Sequence, residues 1–238
     1  MITVDLPVPT RVLAIGAHPD DIEFGAGATL AKWAAAGAVV TMCVCTDGSK
    51  GTWDAAADLA GLVRTRIAEQ RAAADVLGVA TVEHLGHTDG ELRVEPAVVA
   101  ELCGVIRRTR PDVIVSHDPW RTYRLHPDHA AAGRLTIEAL VAARDHHFFP
   151  EQGLEPHRPT ALLLFEPGRV DHVDSVTDLV DRKIAALLAH ASQWRSTMGI
   201  EDPTGTDRFA DAIRARTRAA GIRAGLRAAE AFARLDDL

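Results

Sequence analysis

An α/β fold, a Rossmann-like and mostly parallel sheet with helices on both faces, is what the sequence predicts. Two patterns carry that prediction. Short apolar runs alternate with longer helical patterns along the 238 residues, the order that strand–helix–strand units produce. Glycines stand where helices should stop, at Gly37 and Gly78, because a helix commonly ends on a residue in the left-handed region.

The first run, RVLAIG at 11–16, reads as a strand and is followed by a helical pattern over 24–36. A second strand is expected at 38–45 (AVVTMCVC), a helix at 60–77, and a third strand at 81–85 (TVEHL). A helix at 95–109 leads to a strand at 112–117 (DVIVSH), and a helix at 127–144 follows. The stretch 145–160 carries three prolines and reads as a long irregular loop. Beyond it come a strand at 161–165 (ALLLF), a helix at 175–190 and a last helix after 205. No repeat, low-complexity tract or linker divides the chain, so one domain over 1–238 is expected.

Composition narrows the function. Hydrophobic residues make up 47% and charged residues 25% of the chain, as in an ordinary globular protein. No apolar stretch reaches the ~20 residues of a membrane helix, and the first residues lack a basic leader. Three cysteines, Cys43, Cys45 and Cys103, make no even disulfide framework, so a cytoplasmic setting is expected. Cys43 and Cys45 lie in an apolar run and read as strand packing. A net charge of −7 gives no electrostatic ground for nucleic-acid binding. Arg214, Arg218, Arg223 and Arg227, interleaved with Ile213, Ile222 and Leu226, read as the solvated face of a helix.

Two segments carry chemistry: His18-Pro19-Asp20-Asp21 and His126-Pro127-Asp128-His129. Each follows an expected strand, the first and the fourth, which neighbour each other at the switch point of a Rossmann-like sheet, where ligands bind. With Pro19 and Pro127 at first helical positions, His18 and His126 would be N-caps and the Asp residues would fall in first turns. Capping alone accounts for acidic residues there, but not for two His-Pro-Asp turns meeting at one crevice. A dinucleotide phosphate is excluded, because Asp20, Asp21 and Glu23 would face it without the Gly-x-Gly-x-x-Gly spacing. A divalent metal fits better. His18, Asp21 and His129 would supply two imidazoles and a carboxylate and leave a position for water. Asp20 would then be free to accept a proton, and His126 with Asp128 would form a polarised pair beside the metal. The same donor set can hold iron(II) in oxygenases, and a metal-dependent sugar-binding protein is a further alternative. Neither of those needs Asp20, His126 and Asp128.

The sequence resembles the PIG-L/LmbE family of zinc-dependent N-deacetylases. The resemblance rests on Ala17-His-Pro-Asp-Asp21, Thr46-Asp-Gly-Ser-Lys-Gly51, Arg66-x-x-Glu69 with Leu77-Gly78, His126-Pro-Asp-His129 and His190-Ala-Ser-Gln193. It implies zinc on His18, Asp21 and His129, a general base at Asp20, and an oxyanion-stabilising His126 partnered by Asp128. The resemblance, not spacing, divides the roles of Asp20 and Asp21. It further implies hydrolysis of an N-acetyl group on a small amino sugar; an amidase of the same family acting on a larger acyl or thiol-conjugate amide is the nearer alternative. Hexamers occur among short members of the family, so a homo-oligomer is an expectation. Arg66 resembles an arginine that reaches sugar hydroxyls, and Tyr123 stands near a position where the family can carry a catalytic Tyr, one residue out of step. Trp53 could stack on a sugar, while Asp47 and His190 are expected to approach the pocket.

Overall fold

The structure is a computed structural model, and it describes residues 2–202 and 204–238. Eight strands form one sheet: β1 (Thr3–Val4), β2 (Arg11–Gly16), β3 (Val39–Thr46), β4 (Thr81–His87), β5 (Val113–His117), β6 (Ala161–Phe165), β7 (His172–Ser175) and β8 (Ala229–Asp236). The helices are α1 (Asp21–Ala35), α2 (Leu59–Leu77), α3 (Pro96–Thr109), α4 (Pro127–Ala143), α5 (Val180–Leu188) and α6 (Gly205–Ile222). Strand order across the sheet is β1-β7-β8-β6-β5-β2-β3-β4. Every pairing is parallel except those of β8, which runs antiparallel between β6 and β7.

Side-chain alternation along the strands divides the core in two. Val12 and Ala14 of β2, with Val40, Met42 and Val44 of β3, pack against Leu30 and Trp33 of α1 and Leu77 of α2. Leu13 and Ile15, with Cys43 and Cys45, pack on the other face against Leu102 and Ile106 of α3 and Leu135 of α4. The two cysteines are thus strand packing, as expected. Helix α5 sits at a smaller third cluster with Ala210 and Ile213 of α6.

Five elements depart from the sequence reading, two of them the unforeseen strands β1 and β7. The expected helix at 175–190 is shorter, because Ser175 ends strand β7 and α5 begins at Val180. Strand β8 lies where the sequence predicts only a last helix after 205. Its AEAFARLD sequence is rich in helix formers, and its position between β6 and β7 overrides that propensity. Helix α1 begins at Asp21, not at Pro19, with consequences for the site. Strand order reverses between β2 and β5, which pair with each other, so their carboxyl ends open onto one crevice.

Candidate active site

The loop leaving β2 is fixed by its neighbour. Thr46, at the end of β3, donates to the Ala17 carbonyl through both its N–H and its Oγ1, each at 2.8 Å. His18 N–H donates to Asp21 Oδ2 at 2.7 Å. Asp20, not His18, is the residue before helix α1, and it holds φ at +91°. Expecting Pro19 to open the helix was therefore wrong. The positive φ, costly for a residue with a Cβ, turns the chain between the two aspartates and sends their carboxylates to different partners. In the second segment the expectation holds: His126 is the N-cap of α4, and its Nδ1 accepts from Asp128 N–H at 3.3 Å.

Asp21 is the meeting point. His18 Nδ1 lies 3.2 Å from Asp21 Oδ2, His129 Nε2 lies 3.2 Å from Oδ1, and His117 Nε2 lies 3.2 Å from Oδ2. Burial opposes a charge there, yet the imidazoles around it, His129 and His117 foremost, hold the Asp21 carboxyl well below its ordinary value. Behind His18, Nε2 donates to Asp89 Oδ1 and Asp128 Oδ2, both at 3.1 Å. Burial opposes a charge on His18, yet the bonds to Asp128, Asp21 and Asp89 prevail and push it up to about 12. Among the described residues, donor atoms of three groups lie within 4.8 Å of one another: His18, His126 and His129; His18, Asp89, His126 and Asp128; Asp21, His117 and His129. The expected trio of His18, Asp21 and His129 is not itself one of these groups; Asp21 faces the two imidazoles separately, His18 through Oδ2 and His129 through Oδ1.

The expected His126–Asp128 pair is not formed. Asp128, fully buried, accepts from His18 Nε2, from Gly90 N–H at 2.6 Å and from Leu92 N–H at 3.3 Å. Its place in the first turn of α4 points the carboxylate back at the loop after β4. Burial, with His18 and His129 nearby, holds the His126 imidazole below its ordinary value.

Asp20 opens onto a cavity of about 420 Å³ shared with His18, Asp21, Trp53, Arg66, Asp89, His126, His129 and Gln193. Burial raises its carboxyl to about 7 against the pull of the Arg66 guanidinium, and Asp21 adds to the rise. Arg66 is itself buried, donating to the Pro19 carbonyl at 2.6 Å and the Gly48 carbonyl at 2.9 Å, with Asp20 Oδ2 at 3.5 Å. Gly51 leaves it room, since a Cβ there would lie 2.3 Å from Nη1. Arg66 thus lines the cavity while its guanidinium grips the aspartate loop.

Three expected contacts are absent from the cavity lining. Asp47 spends its carboxylate on the amides of Ser49 and Asp89, which ties two loops together. Tyr123 points to solvent, 93% exposed. His190 is fully buried behind the site. Trp53 does reach the rim, largely exposed. The sequence reading gives no role to Asp89, His117 or Arg124. Asp89 carried a signal, for Thr88-Asp89-Gly90 repeats Thr46-Asp47-Gly48 at the end of the next strand. Arg124 donates to Nδ1 of His117 and His129 at 3.1 and 3.2 Å and faces Glu166 Oε2 at 3.3 Å. No spacing foretold that link.

No helix is long and apolar enough to cross a membrane among the described residues. The profile of the family described as PIG-L, GlcNAc-PI de-N-acetylase, matches residues 13–140, a span that runs from β2 through both His-Pro-Asp segments. A diacetylchitobiose deacetylase of Thermococcus kodakarensis is 35% identical over 187 residues, covering 77% of this chain and 70% of its own. A 1D-myo-inositol 2-acetamido-2-deoxy-alpha-D-glucopyranoside deacetylase of Streptomyces avermitilis is 36% identical, covering 79% and 84%. The crystal structure of N,N'-diacetylchitobiose deacetylase from Pyrococcus horikoshii superposes with a TM-score of 0.87 at 28% identity, over 96% of this chain and 84% of the other. On this match of sequence and fold, the chain belongs to the PIG-L family of GlcNAc-PI de-N-acetylases.

Proposed function

We propose that the protein is a metal-dependent N-deacetylase that releases acetate from an N-acetylglucosamine-type amino sugar. The carrying observation is the division of labour between two adjacent carboxylates. Asp21 is engaged by three imidazoles and held ionised, whereas Asp20 faces the cavity with a carboxyl at about 7. An oxygenase or a binding protein gains nothing from the second carboxylate. A deacetylase needs it as a base. The named relatives above act on N-acetylated sugars, which supports the substrate class.

The donor set suits zinc. Two imidazoles and one carboxylate match a catalytic site with an open position, and the carboxylates behind His18 Nε2 keep a proton on that nitrogen, so that Nδ1, which lies against Asp21, is the atom that would ligate once its own proton is displaced. For His129 to ligate through Nε2 its ring proton must move to Nδ1, so Arg124 gives up that contact and keeps Glu166, 3.3 Å away. A divalent ion would be held by His18, Asp21 and His129 and would supply Lewis acidity toward the acetyl carbonyl and the attacking water.

The chain's own residues then do the following. Asp20 takes the proton from the attacking water and delivers one to the departing amine, with Arg66 fixing its loop. His126 accepts at Nδ1 from Asp128 N–H, so its ring proton sits on Nε2. A neutral imidazole at a helix N-terminus can in that form donate to the developing oxyanion without the Asp128 carboxylate as its partner. Trp53 at the rim offers a face to the sugar. The test is acetate release by the zinc-loaded protein from N-acetylglucosamine, diacetylchitobiose and N-acetylglucosaminyl glycosides. Turnover of at least one, abolished by Asp20→Asn, is the expected result; no acetate from any of them with metal bound would contradict the reading.

A further inference from the structure

Behind the aspartate loop lies a buried polar chain that the chemistry above does not use. Asp20 N–H donates to Gln70 Oε1 at 3.1 Å, and Gln70 Nε2 donates to Glu23 Oε1 at 2.6 Å. Glu23 Oε2 faces His190 Nε2 at 3.8 Å. Gln70, Glu23 and His190 have no solvent exposure. Glu23 Oε2 and both His190 ring nitrogens have no hydrogen-bond partner among the described residues. Buried polar atoms left in that state are costly and call for a reason.

One turn of α2 connects these groups to the site. Arg66 grips the Pro19 carbonyl, Gln70 takes the Asp20 N–H, and Glu69 accepts from Ser192 N–H at 2.7 Å and Ser192 Oγ at 2.6 Å. The helical spacing of 66, 69 and 70 puts all three on one face. The His190–Gln193 segment is therefore anchored to the same turn that holds the aspartate loop.

We propose that Gln70, backed by Glu23 and His190, is a positioning residue that holds Asp20 in its left-handed conformation and thereby aims the base into the cavity, away from Asp21. A residue with a Cβ leaves φ near +90° unless its surroundings fix it. The side chain that does so must accept from a buried N–H on one side and donate to a buried carboxylate on the other. An amide does both, and neither Glu nor Leu does. His190 and Glu23 stand as the floor that keeps the amide from rotating. This inference rests on Asp20 being the base of a deacetylase.

The test uses the full-length, zinc-loaded protein. Gln70→Met keeps the side-chain length and removes both bonds. Its kcat should fall at least tenfold, about 1.4 kcal/mol of barrier, while KM stays within about threefold and metal content is unchanged. Its crystal structure should show Asp20 out of the positive-φ region. Glu23→Leu should reproduce that loss. Glu23→Gln, the conservative variant, retains an acceptor for the Gln70 amide and should restore most of it. The Gln70→Met/Glu23→Leu double variant should be no worse than either single one, because all of these act through one contact. Wild-type kcat in Gln70→Met with Asp20 still at positive φ would overturn the proposal, as would losses that multiply in the double variant. Should Gln70→Met fail to fold, the Glu23 pair decides: equal kcat in Glu23→Leu and Glu23→Gln overturns it. If the wild type releases no acetate, the deacetylase reading fails, and Asp20 φ in the variant structures still decides whether Gln70 holds that conformation.

Discussion

Asp128→Asn tests how the site is supported. Asp128 is fully buried and receives three donors: Gly90 N–H at 2.6 Å, Leu92 N–H at 3.3 Å and His18 Nε2 at 3.1 Å. An asparagine keeps one acceptor oxygen and places an NH₂ where the other oxygen was. In place of Oδ2 that NH₂ meets His18 Nε2 and Gly90 N–H together, and in place of Oδ1 it meets Leu92 N–H, donor against donor either way. Losing one charged hydrogen bond and stranding a buried donor costs about 1–3 kcal/mol, and 1.4 kcal/mol is tenfold in a dissociation constant. The dissociation constant for zinc should therefore rise by ~10–100-fold, the range seen when the support behind a metal-bound imidazole is removed. Competition against a zinc-chelating indicator near neutral pH measures it directly. At saturating zinc most of the turnover should return, because Asp20 and His126 are untouched. An unchanged zinc constant with a large loss of kcat would refute this reasoning and make Asp128 the partner of His126 after all.

Asp20→Asn should retain metal and lose most turnover, whereas Asp21→Asn should shed metal, read by elemental analysis beside the acetate assay; exchanged phenotypes would reverse the two roles. Asp20 must be ionised to act, so activity falls as pH drops through its raised value. The Arg66 guanidinium lowers that value, so Arg66→Met should move the acid limb of kcat/KM to higher pH, and a limb that stays put or moves down contradicts the pairing. Gly25→Ala puts a Cβ 2.4 Å from the Phe165 ring, under the helix that carries Asp21. Thermal unfolding should show a loss of at least ~1–3 kcal/mol from overpacking, and an unchanged midpoint would mean that α1 can shift freely.

How much of this was legible differs by element. Strands β2, β3, β5 and β6 are apolar runs buried on both faces, and such runs announce themselves. Strand β7 does not, since HVDS buries His172 and Asp174, paired with each other at 3.3 Å, and its inward face is polar. Strand β8 reads as helix by propensity, and only its antiparallel pairing with β6 and β7 settles it. The site was legible as two His-Pro-Asp segments at neighbouring strand ends because strand order alone brings them together. What spacing cannot give is direction. Asp128 is two residues from His126 yet turns to His18, Asp47 turns into its own loop, and His190 is buried against Glu23. Helix α1 starts after Asp20 because a left-handed residue, invisible in the sequence, stands where Pro19 seemed to begin it.

The account depends most on which side chains hold the metal. Anomalous scattering at the zinc edge, from crystals of the zinc-loaded protein, measures that without reference to turnover. The predicted result is one peak bonded to a ring nitrogen of His18 and of His129 at ~2.0–2.1 Å and to an Asp21 oxygen at ~2.0–2.2 Å, with Asp20 facing the open side and unbonded. A peak seated instead among Asp89, His126 and Asp128, with Asp21 free, would contradict it.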